Sequence, residues 1–532
     1  MRIEDAKHEI ESGKAVLGIE FGSTRIKGVL IGSDFTPIAE GSYEWENKLR
    51  DGYWTYSMDD VTAGLQSCVR SLKHDVKEKY GITLKSFAAM GVSAMMHGYL
   101  AFDQNDRLMV PFRTWRNTTT AQASRELTRL FHYNIPQRWS ISHVYQAILN
   151  EEEHVSSIHS INTLAGYVHY LLCGKRVLGI GDASGMFPID VTTKTYDPEM
   201  IRAFGELIKD RVSWKIEDIL PQILLAGQEA GVLSEKGALL LDPDGDLQPG
   251  AVMAPPEGDA GTGMTATNSV RQRTGNVSAG TSIFGMVVLE KELDNVYEEI
   301  DLVTTPDGSL TGMAHCNNCS SDLNAWVKLL EEFARAAGSD ISRGDIYTAL
   351  FNEALKGDAD CGGVVNYNYI SGEPITKCDE GRPLLTRMPE ARFTLANFMR
   401  AQIYSAFAAL KIGMDLLTVN EGVKIDCMYG HGGLFKTPGV AQKFLAGALN
   451  TDVSVNETAG EGGPWGMAIL ARYALDRPAQ SLPDYLDEVV FRDTQGETCH
   501  PDEKDVEGFA AFMRLYRNTL EAEKAATEGM RS

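Results

Sequence analysis

The sequence predicts an α/β protein built from two similar halves, and three observations carry that prediction. Helix-type and strand-type apolar periodicities alternate along most of the chain. One pattern occurs twice, at 21–30 and at 279–288: an apolar strand end, a glycine with two hydroxyl residues, and a second apolar strand. The 532 residues leave room for two large domains. The expected division is 1–270 and 271–532, each half opened by one copy of the pattern.

Ala-Val-Leu-Gly-Ile-Glu at 15–20 reads as a buried strand, and 26–31 as a second strand. Phe21-Gly22-Ser23-Thr24-Arg25 between them makes a hairpin with a small, polar tip. Residues 58–79 read as a long helix with Asp59 or Asp60 near its start. A short apolar strand at 87–93 leads directly into Met95-Met96-His97-Gly98, followed by a strand-like 99–102 and a turn at 103–106. Helices are expected over 121–132 and 144–150. The Asp-, Gly- and Pro-rich stretch 241–256 reads as loops and short strands. Gly258-Asp259-Ala260-Gly261-Thr262-Gly263 then opens a helix running to about 269, and 273–290 repeats strand, Gly-Thr-Ser turn, strand. Later helices are expected at 321–338, 395–420, 439–449, 464–475 and 505–524.

Hydrophobic residues make up 43% and charged residues 23%, ordinary values for a globular chain able to bury a large core. The formal net charge of −23 repels nucleic acid and anionic membranes, and no Lys/Arg cluster offsets it. The first residues lack the apolar core of a signal peptide, and no apolar run nears the ~20 residues of a membrane helix. A soluble cytoplasmic protein is expected, with a small-molecule partner, no nucleic acid or membrane, and a homodimer left open. Of the cysteines only Cys316 and Cys319 are close; a zinc site would need further ligands, so reduced thiols are expected.

Several segments carry the residue types of phosphate and hydroxyl chemistry. Gly22, Ser23 and Thr24, and again Gly280, Thr281 and Ser282, offer close backbone approach, successive amides and hydroxyl donors. A single tip of this kind serves equally well as a plain hairpin turn; two copies heading two halves strengthen the phosphate reading. Glu20 precedes the first tip, where it would hold Mg²⁺ or simply face solvent, and Lys27 follows the tip. Asp259 begins a helix, a position suited both to capping and to a general base. Gly430-His431-Gly432-Gly433, with Lys436 beyond, is a glycine-rich strand-to-helix turn; it is neither a Walker A sequence nor a dinucleotide fingerprint. His97 is a structural hydrogen-bonding residue or a ligand contact, and Trp115-Arg116-Asn117 joins an aromatic face to polar neighbours, as sugar sites do.

The order of these motifs resembles the FGGY carbohydrate kinases, and within them the pentulose kinases. Gly18-Ile-Glu-Phe-Gly-Ser-Thr-Arg-Ile-Lys27 is similar to that family's first phosphate motif, and Ser278-Ala-Gly-Thr-Ser282 to the second. Met96-His97-Gly98 and Trp115-Arg116-Asn117 resemble its sugar segments, and Gly258-Asp259 the segment of the catalytic base. Asp182-Ala-Ser-Gly185 and Tyr369-Ile-Ser-Gly-Glu373 resemble other recurring segments, and Gly430-His-Gly-Gly-Leu-Phe-Lys436 the adenosine motif.

The resemblance implies two actin-like (ribonuclease H-like) domains with ATP, Mg²⁺ and sugar in the cleft between them. It implies Asp259 as base, the two turns with Lys27, Gly432, Gly433 and Lys436 around ATP, and Met96, His97, Gly98, Trp115 and Asn117 around the sugar. Two positions depart from the family pattern. Glu20 stands where an Asp is usual, and Asn117 where an Asp is frequent. The expected activity is phosphorylation of a terminal hydroxyl of a ketopentose, with the Met-His-Gly segment favouring xylulose over ribulose. The alternatives are a kinase for another polyol or a sugar acid, and an actin-like or chaperone-type ATPase that needs no second ligand site.

Overall fold

The computed structural model describes residues 2–494 and 496–530. The chain forms two compact units. One comprises Met1–Val270, Leu302–Thr311 and Glu461–Asp493; the other comprises Arg271–Asp301, Gly312–Gly460 and Thr494–Ser532. The units therefore depart from two contiguous halves. The segment 461–493 joins the first unit because its apolar helix face needs the first sheet to cover it.

The first sheet runs in the order Val252–Met253, Ala89–Ala94, Val16–Phe21, Arg25–Ile31, Pro37–Glu44. Val16–Phe21 pairs antiparallel with Arg25–Ile31 and parallel with Ala89–Ala94. The hairpin at 15–31 thus forms as its alternation and Gly-Ser-Thr tip suggest.

Side-chain alternation sorts the two faces of this sheet. Gly18 lies opposite Val29, so Gly28 points to the other face, alongside Gly41. A Cβ on Gly18 would lie 2.0 Å from the Pro464 carbonyl oxygen and 2.5 Å from the Ala468 nitrogen. A Cβ on Gly41 would lie 2.3 Å from the Cys68 carbonyl oxygen. Glycines on opposite faces therefore admit two helices at backbone distance. Gly462–Asp476 packs on one face and Met58–Tyr80 on the other. Ser57 caps the latter helix by accepting the Asp60 amide, and Gly81 ends it at φ 74°.

The second unit repeats the scheme. Thr274–Ala279 pairs antiparallel with Ile283–Val288 and parallel with Cys427–His431, which continues to Asp452–Asn456 and Gly496–Cys499. Leu395–Asp415 is buried along nearly its whole length, with Leu410 and Met414 against Gly285. The expected 395–420 helix ends instead in a wider π-helical turn over Leu416–Asn420. Among the described residues no helix is long and apolar enough to cross a membrane.

The contact at Gly18 yields a test. Gly18→Ala places a methyl group against backbone atoms that cannot rotate away, and is expected to destabilise by about 1–3 kcal/mol. Gly205→Ala, in a helix where the added Cβ meets nothing within 4 Å, is expected to be neutral or stabilising by about 1 kcal/mol. Urea unfolding of both variants checks the pair; equal midpoints would refute the close-packing account.

Candidate active site

In the first unit the tip between Phe21 and Arg25 is tight. The Gly22 amide donates to the Arg25 carbonyl at 3.0 Å. Ser23 and Thr24 lie exposed beyond it, and among the described residues neither amide has a partner. Glu20 stands directly opposite Lys27 in the hairpin register, on the same face. The Glu20 carboxyl receives no hydrogen bond among the described residues, and its pKa is pushed up to about 8. Burial is the main cause, and the Asp259 charge adds to it, while Lys27 opposes the shift. The longer side chain fits because residue 463 is glycine: a Cβ there would lie 1.5 Å from Glu20 Oε2.

Asp259 is the first residue of the helix Asp259–Ala266, with Gly258 as its N-cap. Its side chain lies beside the first amides of its own helix and also reaches the loop at the end of Ala89–Ala94. The Met96 amide donates to Asp259 Oδ1 at 3.1 Å. The residue is exposed, while protein packed around its carboxyl walls it in part. That walling raises its pKa to about 6, against the lowering effect of the Met96 and Ala260 amides. An acid so placed is ionised at neutral pH and remains a better proton acceptor than a free Asp.

The Met95–Gly98 loop is shaped by backbone constraint. His97 has φ 70° and Gly98 φ 95°, a left-handed pair that is costly at histidine. Surrounding bonds hold it: the Gly98 amide donates to the Arg138 carbonyl at 3.2 Å, and Ser140 Oγ donates to the Gly98 carbonyl at 2.5 Å. The buried His97 ring stacks at 6.2 Å on Trp139, with Nδ1 3.2 Å from the Gly185 carbonyl oxygen.

Trp115 is 36% exposed. Asn117 departs from the sugar-contact expectation. It is buried, its amide group donates to the Trp54 and Thr114 carbonyls, both at 2.9 Å, and its oxygen accepts the Trp54 amide at 2.8 Å. Both of its N–H donors are consumed by backbone, so Asn117 braces its loop. Arg116 stacks 3.8 Å above the Trp54 ring.

Two acids that sequence reasoning left out of the site lie behind Asp259. The Glu257 carboxylate accepts the Gly181 amide at 3.3 Å and the Asp182 amide at 3.0 Å. Thr163 Oγ1 donates to Asp182 Oδ2 at 2.7 Å, and Asp182 Oδ1 has no partner. Burial raises Glu257 to about 8, with the Asp182 charge adding to it, and raises Asp182 to about 7. The available signal was Gly179-Ile-Gly181-Asp182: a Cβ on either glycine would fall within 2.4 Å of a Glu257 oxygen.

In the second unit Gly280, Thr281 and Ser282 form the matching tip, with the Gly280 amide bonded to the Ser282 carbonyl at 2.9 Å. The Gly280 carbonyl accepts Ser320 Oγ at 2.6 Å, and the Thr281 carbonyl accepts the Cys319 amide at 3.0 Å. In a trans peptide the following N–H points opposite the carbonyl. The Thr281 and Ser282 amides therefore point away from the helix Ser320–Ala336, without partners among the described residues. Two adjacent, outward amides form an anion nest. Gly432, at φ 99°, packs against this tip: a Cβ there would lie 2.5 Å from the Ala279 carbonyl oxygen. Gly433 and Lys436 are exposed on the short turn that follows. Cys316 and Cys319 are buried free thiols whose pKa burial raises.

The sequence-named residues thus fall into two sets. Glu20, Gly22, Ser23, Thr24, Lys27, Met96, His97, Gly98, Trp115, Asn117 and Asp259 belong to the first unit. Gly280, Thr281, Ser282, Gly432, Gly433 and Lys436 belong to the second.

Known proteins resemble this chain in sequence and in fold. Residues 15–241 match the model of the N-terminal domain of the FGGY family of carbohydrate kinases, and 275–475 that of its C-terminal domain. The xylulose kinase of Haemophilus influenzae is 23% identical over 383 residues, 68% of this chain and 71% of that protein. Ligand-bound xylulose kinase from Lactobacillus acidophilus aligns with a TM-score of 0.78 at 17% identity, covering 97% of this chain and 100% of that one. Gluconate kinase from the same organism aligns at 0.77 and 17%, covering 96% and 98%. At these identities the structural likeness is one of fold, an α/β architecture of two actin-like domains.

The buried acids set a pH dependence. Unfolded, Glu257 and Asp182 ionise near ~4. Folded, they hold their protons to about 8 and about 7. Between these limits the folded state binds more protons, so stability is greatest on the acid side and falls as pH rises through that window. Glu257→Gln removes one titrating group and is expected to flatten the fall. Urea unfolding at several pH values across the window checks it; parallel curves for the two proteins would refute the assignment.

Proposed function

The chain belongs to the FGGY family of carbohydrate kinases, and on that premise we propose that it transfers the γ-phosphate of ATP to the terminal hydroxyl of a ketopentose, xylulose ahead of ribulose. The observation that carries the reading is Asp259: an acid raised to about 6 and oriented by the Met96 amide. A switch-type ATPase has no need of a proton acceptor tied to a second ligand loop. The xylulose kinase of Haemophilus influenzae supports the choice of sugar, as does the Met96-His97-Gly98 loop.

The chemistry assigned to these residues is simple. The sugar lies against the Met96–Gly98 loop and the exposed Trp115. Its terminal hydroxyl gives its proton to Asp259 as the oxygen attacks the γ-phosphorus, and the bond to the β-phosphate oxygen breaks. In each unit the outward amides of the turn are suited to phosphate oxygens, whose charge builds as that bond breaks. Lys27 and Lys436 add positive charge at the edges of their turns.

Mg²⁺ fits the residues present. Glu20 receives no donor, and the Asp259 charge raises its proton affinity, so a divalent cation would relieve it. With only these carboxylates, the ion would keep mainly water and phosphate oxygens as ligands. When bound, it supplies charge neutralisation to the phosphates.

Coupled ADP detection over ketopentoses, polyols and sugar acids tests the reading. The expected result is ADP release strongly stimulated by a ketopentose. ADP release that no sugar stimulates would instead favour the ATPase. Asp259→Asn is expected to lower kcat by about 10²–10⁴-fold while leaving ADP binding intact. Because Asp259 must be ionised, kcat/KM should fall as pH drops through about 6; a profile flat to lower pH would exclude Asp259 as the base. Glu20→Ala should raise the Mg²⁺ concentration needed for half-maximal rate, and an unchanged titration would make Glu20 structural.

A further inference from the structure

The first phosphate turn owes its shape to two aromatic side chains that no motif contains. Every carbonyl of the turn is occupied. Trp45 Nε1 donates to the Gly22 carbonyl at 2.7 Å, Tyr56 Oη donates to the Ser23 carbonyl at 2.6 Å, and the Trp45 amide donates to the Thr24 carbonyl at 3.2 Å. Each trans peptide carries its N–H antiparallel to the C=O before it. Drawing the Gly22 and Ser23 carbonyls toward the aromatic pair therefore turns the Ser23 and Thr24 amides the other way, where they have no partner among the described residues.

The two rings are themselves fixed. They stack at 4.0 Å with 24° between planes, and Phe21 packs edge-on to Trp45 at 5.8 Å. Tyr56 is 2% exposed, and burial holds its hydroxyl in the donor form, with its pKa pushed up to about 12.

The hairpin Lys48–Arg50 and Tyr53–Thr55 joins Trp45 to Tyr56. Its far side is tied to the loop of Trp115: Asn47 Nδ2 donates to Thr114 Oγ1 at 3.1 Å, and the Thr114 amide donates to the Trp54 carbonyl at 3.1 Å. The turn and the Trp115 loop are thus held by one short strap.

We propose that Trp45 and Tyr56 are positioning residues for the nucleotide phosphates: by holding the carbonyls of the first turn on one side, they keep its amides aimed at an anion. This rests on the kinase reading above for the identity of that anion. Their donors are spent on the carbonyls of the turn, so their effect appears in nucleotide binding rather than in proton transfer.

Tyr56→Phe and Trp45→Phe keep an aromatic ring and remove the donor. Each is expected to raise the KM for ATP, and the Kd for ADP measured by calorimetry, about tenfold, the worth of one such hydrogen bond. The KM for sugar should stay within about twofold and the pH profile unchanged. Unchanged ADP affinity in both folded variants, or an equal rise in both KM values, would overturn the proposal. Should either variant fail to fold, ¹⁹F spectra of 5-fluorotryptophan-labelled wild type supply the test. A Trp45 resonance that moves on adding ADP supports the positioning role, and one that stays still overturns it. Wild type that binds ADP but phosphorylates no sugar would sink the kinase reading alone. Wild type that binds no adenine nucleotide would sink both.

Discussion

The backbone-to-backbone approach of the helix Gly462–Asp476 to the strand Val16–Phe21 is the constraint on which the first unit depends. Gly18 permits it from the strand, where a Cβ would lie 2.0 Å from the Pro464 carbonyl oxygen. Gly463 permits it from the helix beside Glu20, and Gly466 admits the helix Asp259–Ala266, where a Cβ would lie 2.1 Å from the Thr262 carbonyl oxygen. One helix thereby fixes the strand that carries Glu20 and the helix that begins at Asp259. The two acids come together because both elements lean on the same glycine-lined surface, and larger side chains there would separate them.

Bringing acids together in a walled site has an electrostatic cost. Glu20, Asp259, Asp182 and Glu257 all have raised pKa values, each chiefly through burial. Among the described residues the protein opposes this charge with a nearby cation at Glu20, through Lys27. Elsewhere it spreads backbone amides: Met96 on Asp259, and Gly181 and Asp182 on Glu257. Asp182 accepts only the Thr163 hydroxyl, and Glu20 alone of the four receives no hydrogen bond among the described residues, which makes it the carboxyl best suited to an incoming metal ion.

Much of this was legible from residue order. The alternation at 15–31 and 273–290 reads as paired strands because buried strands are apolar and hairpin tips are small and polar, and both hairpins form. Asp259 at a helix start was visible as well, since an acid at the head of a helical run is favoured by the helix dipole. Asn117 was not legible: a polar residue beside Trp115 looks the same in sequence whether its amide faces a sugar or, as here, the Trp54 backbone. Glu257 was harder to find: Gly179 and Gly181, which make room for it, were visible as glycines, but they lie far from it in the chain and do not point to their partner.

The sequence by itself determined the two strand–turn–strand frames, the glycine and hydroxyl content of their tips, and the acid at the head of a helix. These follow from local periodicity and from which residues tolerate a tight turn. Only the tertiary structure decided that 461–493 completes the first unit, that Met96 orients Asp259, and that Trp45 and Tyr56 turn the amides of the first tip outward. Those outcomes rest on hydrogen bonds and desolvation between residues remote in sequence, and no local pattern encodes which distant donor will meet which carbonyl.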